Sequence, residues 1–494
     1  MAHSTIGIKS FGAYIPSIRL DRSEIVGATG WINPALRAYS KGTRAVCDFD
    51  EDTITMSVEA ARFCLRQSTN NNVSALIASS TTMPFADRLN TSVISGAVGL
   101  DENLEAYDVT GSQRAGLSAL HLALSISSGG ATSGDVLCLS ADRRRGRPGS
   151  TIEVTSGDGA AAFLVGSDDV IARCLAHEVS TVDFIDHYRR SDQLYDYGGE
   201  ERWIREEGYR KIAPPVIHKL LEEASIAADD INHFIFPCPI RGVTSGIARQ
   251  LGVKADAVCD DFYSSCGDTG VAHPLMMLAD TLCKAAPGEK ILVVGFGQGC
   301  EVMLLETTPL IAEAQHFQKV GELINSPGYQ IPLMRYLAFN EQIDMDYGPR
   351  AEADKKTSLS VAFRHSSALS RLVAGQCRVC GTIQFPKSTI CVNPNCLHEG
   401  DQDDHPLVDE TATIHTITSD WLGYSRNPPN RYGVVDFTSG ARTMLNFTSS
   451  KDEPRVGDTV TLAFRIQEVD QMRKFHRYSW KAIATPTSEN GADK

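Results

Sequence analysis

The chain has 494 residues, 42% hydrophobic and 22% charged, enough for two to four globular domains with substantial cores. Its formal net charge of −14 argues against nonspecific nucleic-acid binding, and no run of about 18 apolar residues offers a membrane span. The opening stretch MAHSTIGIKSFGAYIP lacks a charged segment followed by an apolar one, so no secretory signal is expected. Of the 13 cysteines, nine are scattered singly, mostly among apolar residues, as at Cys64, Cys138 and Cys283. These are expected to be reduced core thiols of a cytoplasmic protein.

In chain order, DTITMSVEAARFCLRQ (52–67) reads as an amphipathic helix and NVSALIASSTT (72–82) as a buried strand. DVTGSQRAGLSALHLALSISSGGATSGDVLCLSADRR (108–144) then opens on Asp108, passes a small-residue turn and runs through an apolar helix into a buried strand. KIAPPVIHKLLEEASI (211–226) reads as a helix and INHFIFPCP (231–239) as a strand. DDFYSSCGDTGVAHPLMMLADTLCKAAPGEKILVVGFGQG (260–299) repeats the turn, apolar helix and buried strand, with Asp261 matching Asp108 at a distance of 153 residues. That spacing is too long for a solenoid and suits a duplicated α/β domain. Residues 310–372 read as helices and loops, with a polar link near 351–356. From about 405 to 486, short alternating runs such as YGVVDFT, DTVTLAFRIQEV and YSWKAIA suggest a small β-barrel, and the last residues a disordered tail.

CRVCGTIQFPKSTICVNPNC holds Cys377, Cys380, Cys391 and Cys396 with spacing C-x2-C, ten residues, C-x4-C. Two knuckles of this kind gather four thiolates into a closed tetrahedral site, so structural zinc is expected, with His398 as an alternative to Cys396. The basic run ADRRRGRPG (141–149) could meet phosphates but reads better as a solvated or interfacial loop.

The duplicated pattern, together with TSGDGAAAFLVG (155–166) and VVGFGQG (293–299), resembles the thiolase superfamily, and within it the hydroxymethylglutaryl-CoA synthase and ketoacyl synthase III branch. VDFIDHYRRSDQLYDYGGEERWIREEGY (182–209) resembles the insert between the halves of the microbial synthases. The tail resembles the zinc-ribbon OB-fold proteins that accompany steroid aldolases and archaeal synthases. The resemblance implies an α/β duplicated thiolase fold in αβαβα layers, a rubredoxin-like zinc ribbon and an OB-fold barrel. The expected boundaries are 1–170, 171–310, a helical linker 311–372, the ribbon 373–400, the barrel 401–486 and the tail 487–494.

The family's nucleophilic cysteine falls on Gln113, its histidine on Pro237, its asparagine on Asp268 and its glutamate near Thr81. A covalent acyl-enzyme at the usual place is therefore not expected. The resemblance implies C–C bond cleavage or formation on a β-hydroxyacyl-CoA, β-keto acid or β-ketoacyl-CoA, of retro-aldol or retro-Claisen type. Gln113 would donate to an oxyanion and Asp268 act as a base, unless it only caps the helix. His273 and Tyr263 join the candidates, with core packing as the alternative for each. Cys238 and Cys266 are candidates for a displaced nucleophile, or are buried thiols. The alternatives are a synthase-like acyltransferase using such a thiol, or a non-catalytic acyl-CoA-binding subunit. Coenzyme A is the implied carrier and a homodimer the implied assembly, with a partner enzyme of the same pathway as a further possibility.

Overall fold

The computed structural model describes residues 6–68, 72–130, 134–314, 317–347 and 356–485. Most of the polar link near 351–356, and the tail beyond 485, lie outside the described residues. The chain divides into two compact units. One comprises Met1–Cys47, Asp52–Ser95 and Leu100–Tyr336, the other Asp48–Glu51, Gly96–Gly99 and Leu337–Lys494.

The main sheet of the first unit has nine strands: β1 (Gly7–Tyr14), β2 (Val73–Ser79), β3 (Glu105–Val109), β4 (Asp135–Arg143), β5 (Asp158–Gly166), β6 (Ala172–Thr181), β7 (His233–Ile235), β8 (Lys290–Phe296) and β9 (Gly299–Thr307). Hydrogen bonding runs through them in the order β7-β8-β9-β6-β1-β5-β4-β2-β3. The order is itself a duplication. From the centre outward, β1-β5-β4-β2-β3 mirrors β6-β9-β8-β7, and a single parallel bridge from Phe234 to Val258 stands where the tenth strand would be. Within the sheet, the halves pair at Gly7–Arg173 and Ile8–Ala172. The run INHFIFPCP yields three residues of strand because Pro237 and Pro239 cannot donate to a ladder.

Four helices of this unit pack against the main sheet and position the site. α1 (Thr53–Arg66) starts from a capping box between Asp52 and Thr55 and covers β1, β5 and β4. α3 (Arg210–Ala224) covers β6 and β9 on the other half. Between them lie α2 (Ala115–Ser128) and α4 (His273–Leu282), each touching strands of both halves. Helices apolar nearly all round can be buried on both sides, and Ala and Leu supply the helix propensity of α2. The two central helices begin almost in contact: a Cβ on Gly116 would lie 2.0 Å from the Val271 carbonyl oxygen. Only glycine allows that approach. Leu117, Leu120, Leu275 and Leu278 are fully buried in the resulting core.

In the second unit, β10 (Val373–Cys377) pairs with β11 (Ile383–Gln384) and β12 (Gln402–Pro406). An antiparallel sheet follows: β13 (Ala412–Asp420), β14 (Asn430–Phe437), β15 (Arg442–Asn446), β16 (Thr459–Asp470) and β17 (Phe475–Thr485), in the order β15-β14-β13-β16-β17. Its edges approach where Phe447 bridges Ala482. Phe464 and Trp480 pack edge to face at 5.3 Å inside it.

Leu120→Ala, at the centre of the middle helix layer, should lower unfolding free energy by about 2–5 kcal/mol, read from the urea midpoint. A change below about 1 kcal/mol would mean that this layer is not the close-packed core.

Candidate active site and metal centre

A cavity of about 770 Å³ opens where the two central helices begin. Gln113, Tyr263, Asp268 and His273 all line it, and so does Pro237. The duplication thus gathers four of the six candidate catalytic residues onto one cavity.

Gln113 sits in the turn before α2. Its Nε2 donates to Thr81 Oγ1 at 3.4 Å, and Thr81 Oγ1 in turn donates to Asp142 at 3.0 Å. The buried Asp142 carboxylate also accepts from the Thr81 amide at 2.8 Å and, across the duplication, from the Val271 amide at 3.0 Å. Burial pushes the Asp142 carboxyl above its ordinary range against these hydrogen bonds. The chain from Asp142 through Thr81 fixes which way the Gln113 amide points and leaves it a second N–H.

Asp268 lies in the turn ahead of α4, where Gly267 takes φ of +85°. Its Oδ1 accepts from the Gly270 amide at 3.0 Å, a local capping role, while Oδ2 faces Arg144 Nη1 at 3.3 Å. Arg144 also donates through Nε to Asp196 at 2.9 Å. Burial alone would lower Arg144, but Asp196, Asp268 and Asp142 overcome it and hold the guanidinium above its ordinary pKa. Arg144 therefore departs from the solvated-loop reading of its basic run: its side chain is 8% exposed, enclosed by acids from distant segments.

His273 is the first residue of α4, one position before Pro274. Gly270–Ala272 forms a 3-10 turn ahead of it, and proline favours the first α-helical turn. Both ring nitrogens are engaged. Nε2–H donates to the Asp261 carbonyl at 2.7 Å, and Nδ1 accepts from the Thr269 amide at 3.1 Å. The ring stacks on Tyr263 at 4.5 Å and 11°. Burial and then the Asp268 carboxylate push the Tyr263 hydroxyl well above its ordinary pKa, so it stays a proton donor.

The two thiols lie elsewhere. Cys238 faces a neighbouring cleft of about 500 Å³, and Cys266 is fully buried. Burial pushes both up to about 12.

Residues that the sequence did not single out frame the cavity. A hairpin pairs His187–Tyr188 with Tyr197–Gly198. It is fastened by Asp196, which accepts from both Arg144 and Arg189, and by an Arg189 hydrogen bond to the Thr81 carbonyl. Tyr209 ends a π-helical turn (Ile204–Tyr209) on the same cavity.

The curated relatives cover this unit. The chain is 30% identical over 351 residues to a hydroxymethylglutaryl-CoA synthase of Methanosphaera stadtmanae, a match spanning 69% of this chain and 99% of the relative. With the synthase of Methanosarcina barkeri it shares 31% over 346 residues, 67% of this chain and 97% of the relative. The chain belongs to the hydroxymethylglutaryl-CoA synthase branch of the thiolase superfamily. Within it, residues 221–305 match the 3-oxoacyl-[acyl-carrier-protein] synthase III C-terminal family. The fold resembles that of MvaS in complex with 3-hydroxy-3-methylglutaryl coenzyme A, with TM-score 0.58, 18% identity and coverage of 72% of this chain and 94% of that one. It also resembles 3-oxoacyl-(acyl carrier protein) synthase III (FabH) of Pseudomonas aeruginosa PAO1, with TM-score 0.55, 16% identity and coverage of 62% and 98%. This branch of acyl-CoA condensing-enzyme homologues thus includes a member with glutamine at the head of its first central helix.

Residues 368–401 match the ChsH2 rubredoxin-like zinc ribbon family. The sulfurs of Cys377, Cys380, Cys391 and Cys396 all lie within 4.8 Å of one another, and His398 stands outside the cluster. Cys377–Cys396 and Cys380–Cys391 are 3.9 and 3.5 Å apart. Zn–S bonds of about 2.3 Å in a tetrahedron place sulfurs about 3.8 Å apart, so this donor set fits zinc. No described helix is long and apolar enough to cross a membrane.

The purified protein should carry one equivalent of zinc by elemental analysis. Cys391→Ser should lower that content and the unfolding temperature together; full zinc retention would exclude Cys391 as a ligand. Iodoacetamide at pH 7.5 should leave Cys238 and Cys266 unlabelled in the folded protein by peptide mapping, because burial covers both thiols and keeps them protonated. Rapid labelling of either would restore a thiol mechanism.

Proposed function

We propose that this protein makes or breaks a C–C bond β to an acyl-CoA thioester by retro-aldol chemistry, without an acyl-enzyme. The observation that carries the proposal is the shared cavity: an amide at Gln113, a protonated hydroxyl at Tyr263 and a carboxylate at Asp268 line it, and neither candidate thiol does. In the cleavage direction, Asp268 takes the proton of the β-hydroxyl. The Cα–Cβ bond breaks, a carbonyl forms at Cβ, and the electron pair moves into the thioester enolate. The Gln113 amide and the Tyr263 hydroxyl stabilise the enolate oxygen. The proton returns to Cα, giving a shortened acyl-CoA and an aldehyde or ketone. His273, with both nitrogens committed, positions Tyr263 rather than transferring protons.

Coenzyme A as carrier rests on the family and on relatives solved with CoA or 3-hydroxy-3-methylglutaryl coenzyme A. Structural zinc in the ribbon, an OB-fold barrel formed by the final five strands, and a homodimer through the thiolase-like unit complete the reading. The four thiolates would hold zinc as a closed site, which pins the ribbon and leaves no position for substrate. A cytoplasmic location fits thiols that form no disulfide among the described residues. A synthase-like acyltransferase with a displaced nucleophile would need a thiol that the cavity does not present.

Mass spectrometry of products from a β-hydroxyacyl-CoA panel should find a shortened acyl-CoA and a carbonyl compound. Asp268→Asn keeps an oxygen for the Gly270 amide but removes the base, and should cut kcat on the order of a hundredfold. Unchanged turnover would remove Asp268 from the mechanism. No turnover by the wild type, alongside tight CoA binding, would instead make this a binding subunit.

A further inference from the structure

The cavity wall formed by the 187–198 hairpin is aromatic. Tyr188 and Tyr197 are direct cross-strand partners, so their side chains share one face, with ring centroids 5.3 Å apart. They remain 51% and 61% exposed although they line the cavity. Tyr195 adds a third ring, with the Arg147 guanidinium 5.6 Å from its centroid. The wall is fixed in place: Asp196 between them is clamped by Arg144 at 2.9 Å and Arg189 at 3.1 Å. A ligand therefore meets rings carried on a fastened hairpin, which lowers the backbone ordering that binding would require.

We propose, building on the acyl-CoA reading of this cavity, that the acyl group it accepts carries an aromatic ring that packs against Tyr188 and Tyr197. Aromatic groups associate through offset or edge-to-face contacts with such rings, and burying the exposed faces adds a hydrophobic gain. The volume agrees. At about 770 Å³ the cavity lies high in the roughly 300–1,000 Å³ range of sites that bury drug-sized ligands. A short aliphatic acyl chain would leave the tyrosine wall facing water.

The test measures binding rather than turnover. Calorimetry on the full zinc-loaded chain would compare 3-phenylpropanoyl-CoA, butanoyl-CoA and CoA; neither thioester carries the β-hydroxyl that cleavage needs. The phenyl thioester should bind about tenfold more tightly than the butanoyl one. Tyr188→Ala and Tyr197→Ala should each weaken it roughly threefold to tenfold while leaving butanoyl-CoA unchanged, and the phenylalanine variants should retain affinity. Equal affinities for the two thioesters, or equal losses on both, would overturn the proposal. So would alanine variants that change the oligomeric mass by light scattering, because the rings would then be covered by a second copy. A phenyl preference in a protein whose turnover survives Asp268→Asn would refute the assigned base and leave the aromatic subsite standing.

Discussion

The site depends on one buried guanidinium. Arg144 leaves the end of β4 and joins Asp196 of the hairpin to Asp268 ahead of α4. Each carboxylate buried without it would be costly, because unpaired charge in a low-dielectric setting is penalised far more than a paired one. The same cation therefore fixes the cavity wall, holds the Asp268 carboxylate in place and sets the distance between them. Asp142, two residues earlier, does the complementary task with hydrogen bonds: through Thr81 it orients Gln113, and through Val271 it ties down the second central helix. Asp268, Gln113 and the hairpin tyrosines are linked through two residues of one strand end.

This arrangement gives glutamine at position 113 a physical meaning. A thiolate at a helix N-terminus serves acyl transfer, because the positive end of the helix lowers its pKa. A neutral amide at the same turn cannot be acylated in that way, but it can donate a hydrogen bond to an enolate. Tyr263 is suited to the same task, since its environment opposes ionisation, and the stacked His273 ring holds it in place. The cavity has the means to stabilise negative charge on oxygen and to accept one proton. Among the described residues, no thiol lines it.

Much of this was legible in the sequence, for reasons of spacing. The Cys377–Cys396 cluster depends on local knuckles, and the folded chain brings all four sulfurs together. The duplication set Gln113 and Asp268 at the heads of equivalent helices, and they line one cavity. Other features were hidden by distance along the chain. Arg144 meets Asp196 and Asp268 across 52 and 124 residues, and a run of arginines gives no sign of which one is buried. The committed nitrogens of His273 depend on the Asp261 carbonyl and the Thr269 amide, backbone groups that side-chain identity does not reveal. The hairpin tyrosines lie in a polar insert with no strong strand period, so their common face emerges only from the pairing of Tyr188 with Tyr197.

The proposed chemistry proceeds without a covalent acyl-enzyme. Rapid acid quench during steady-state turnover of a β-hydroxyacyl-CoA, followed by intact-protein mass spectrometry, reads this out. The protein should stay unmodified at every time point while shortened acyl-CoA and carbonyl product accumulate. A transient mass increase equal to an acyl group, mapped to any cysteine, would contradict that chemistry.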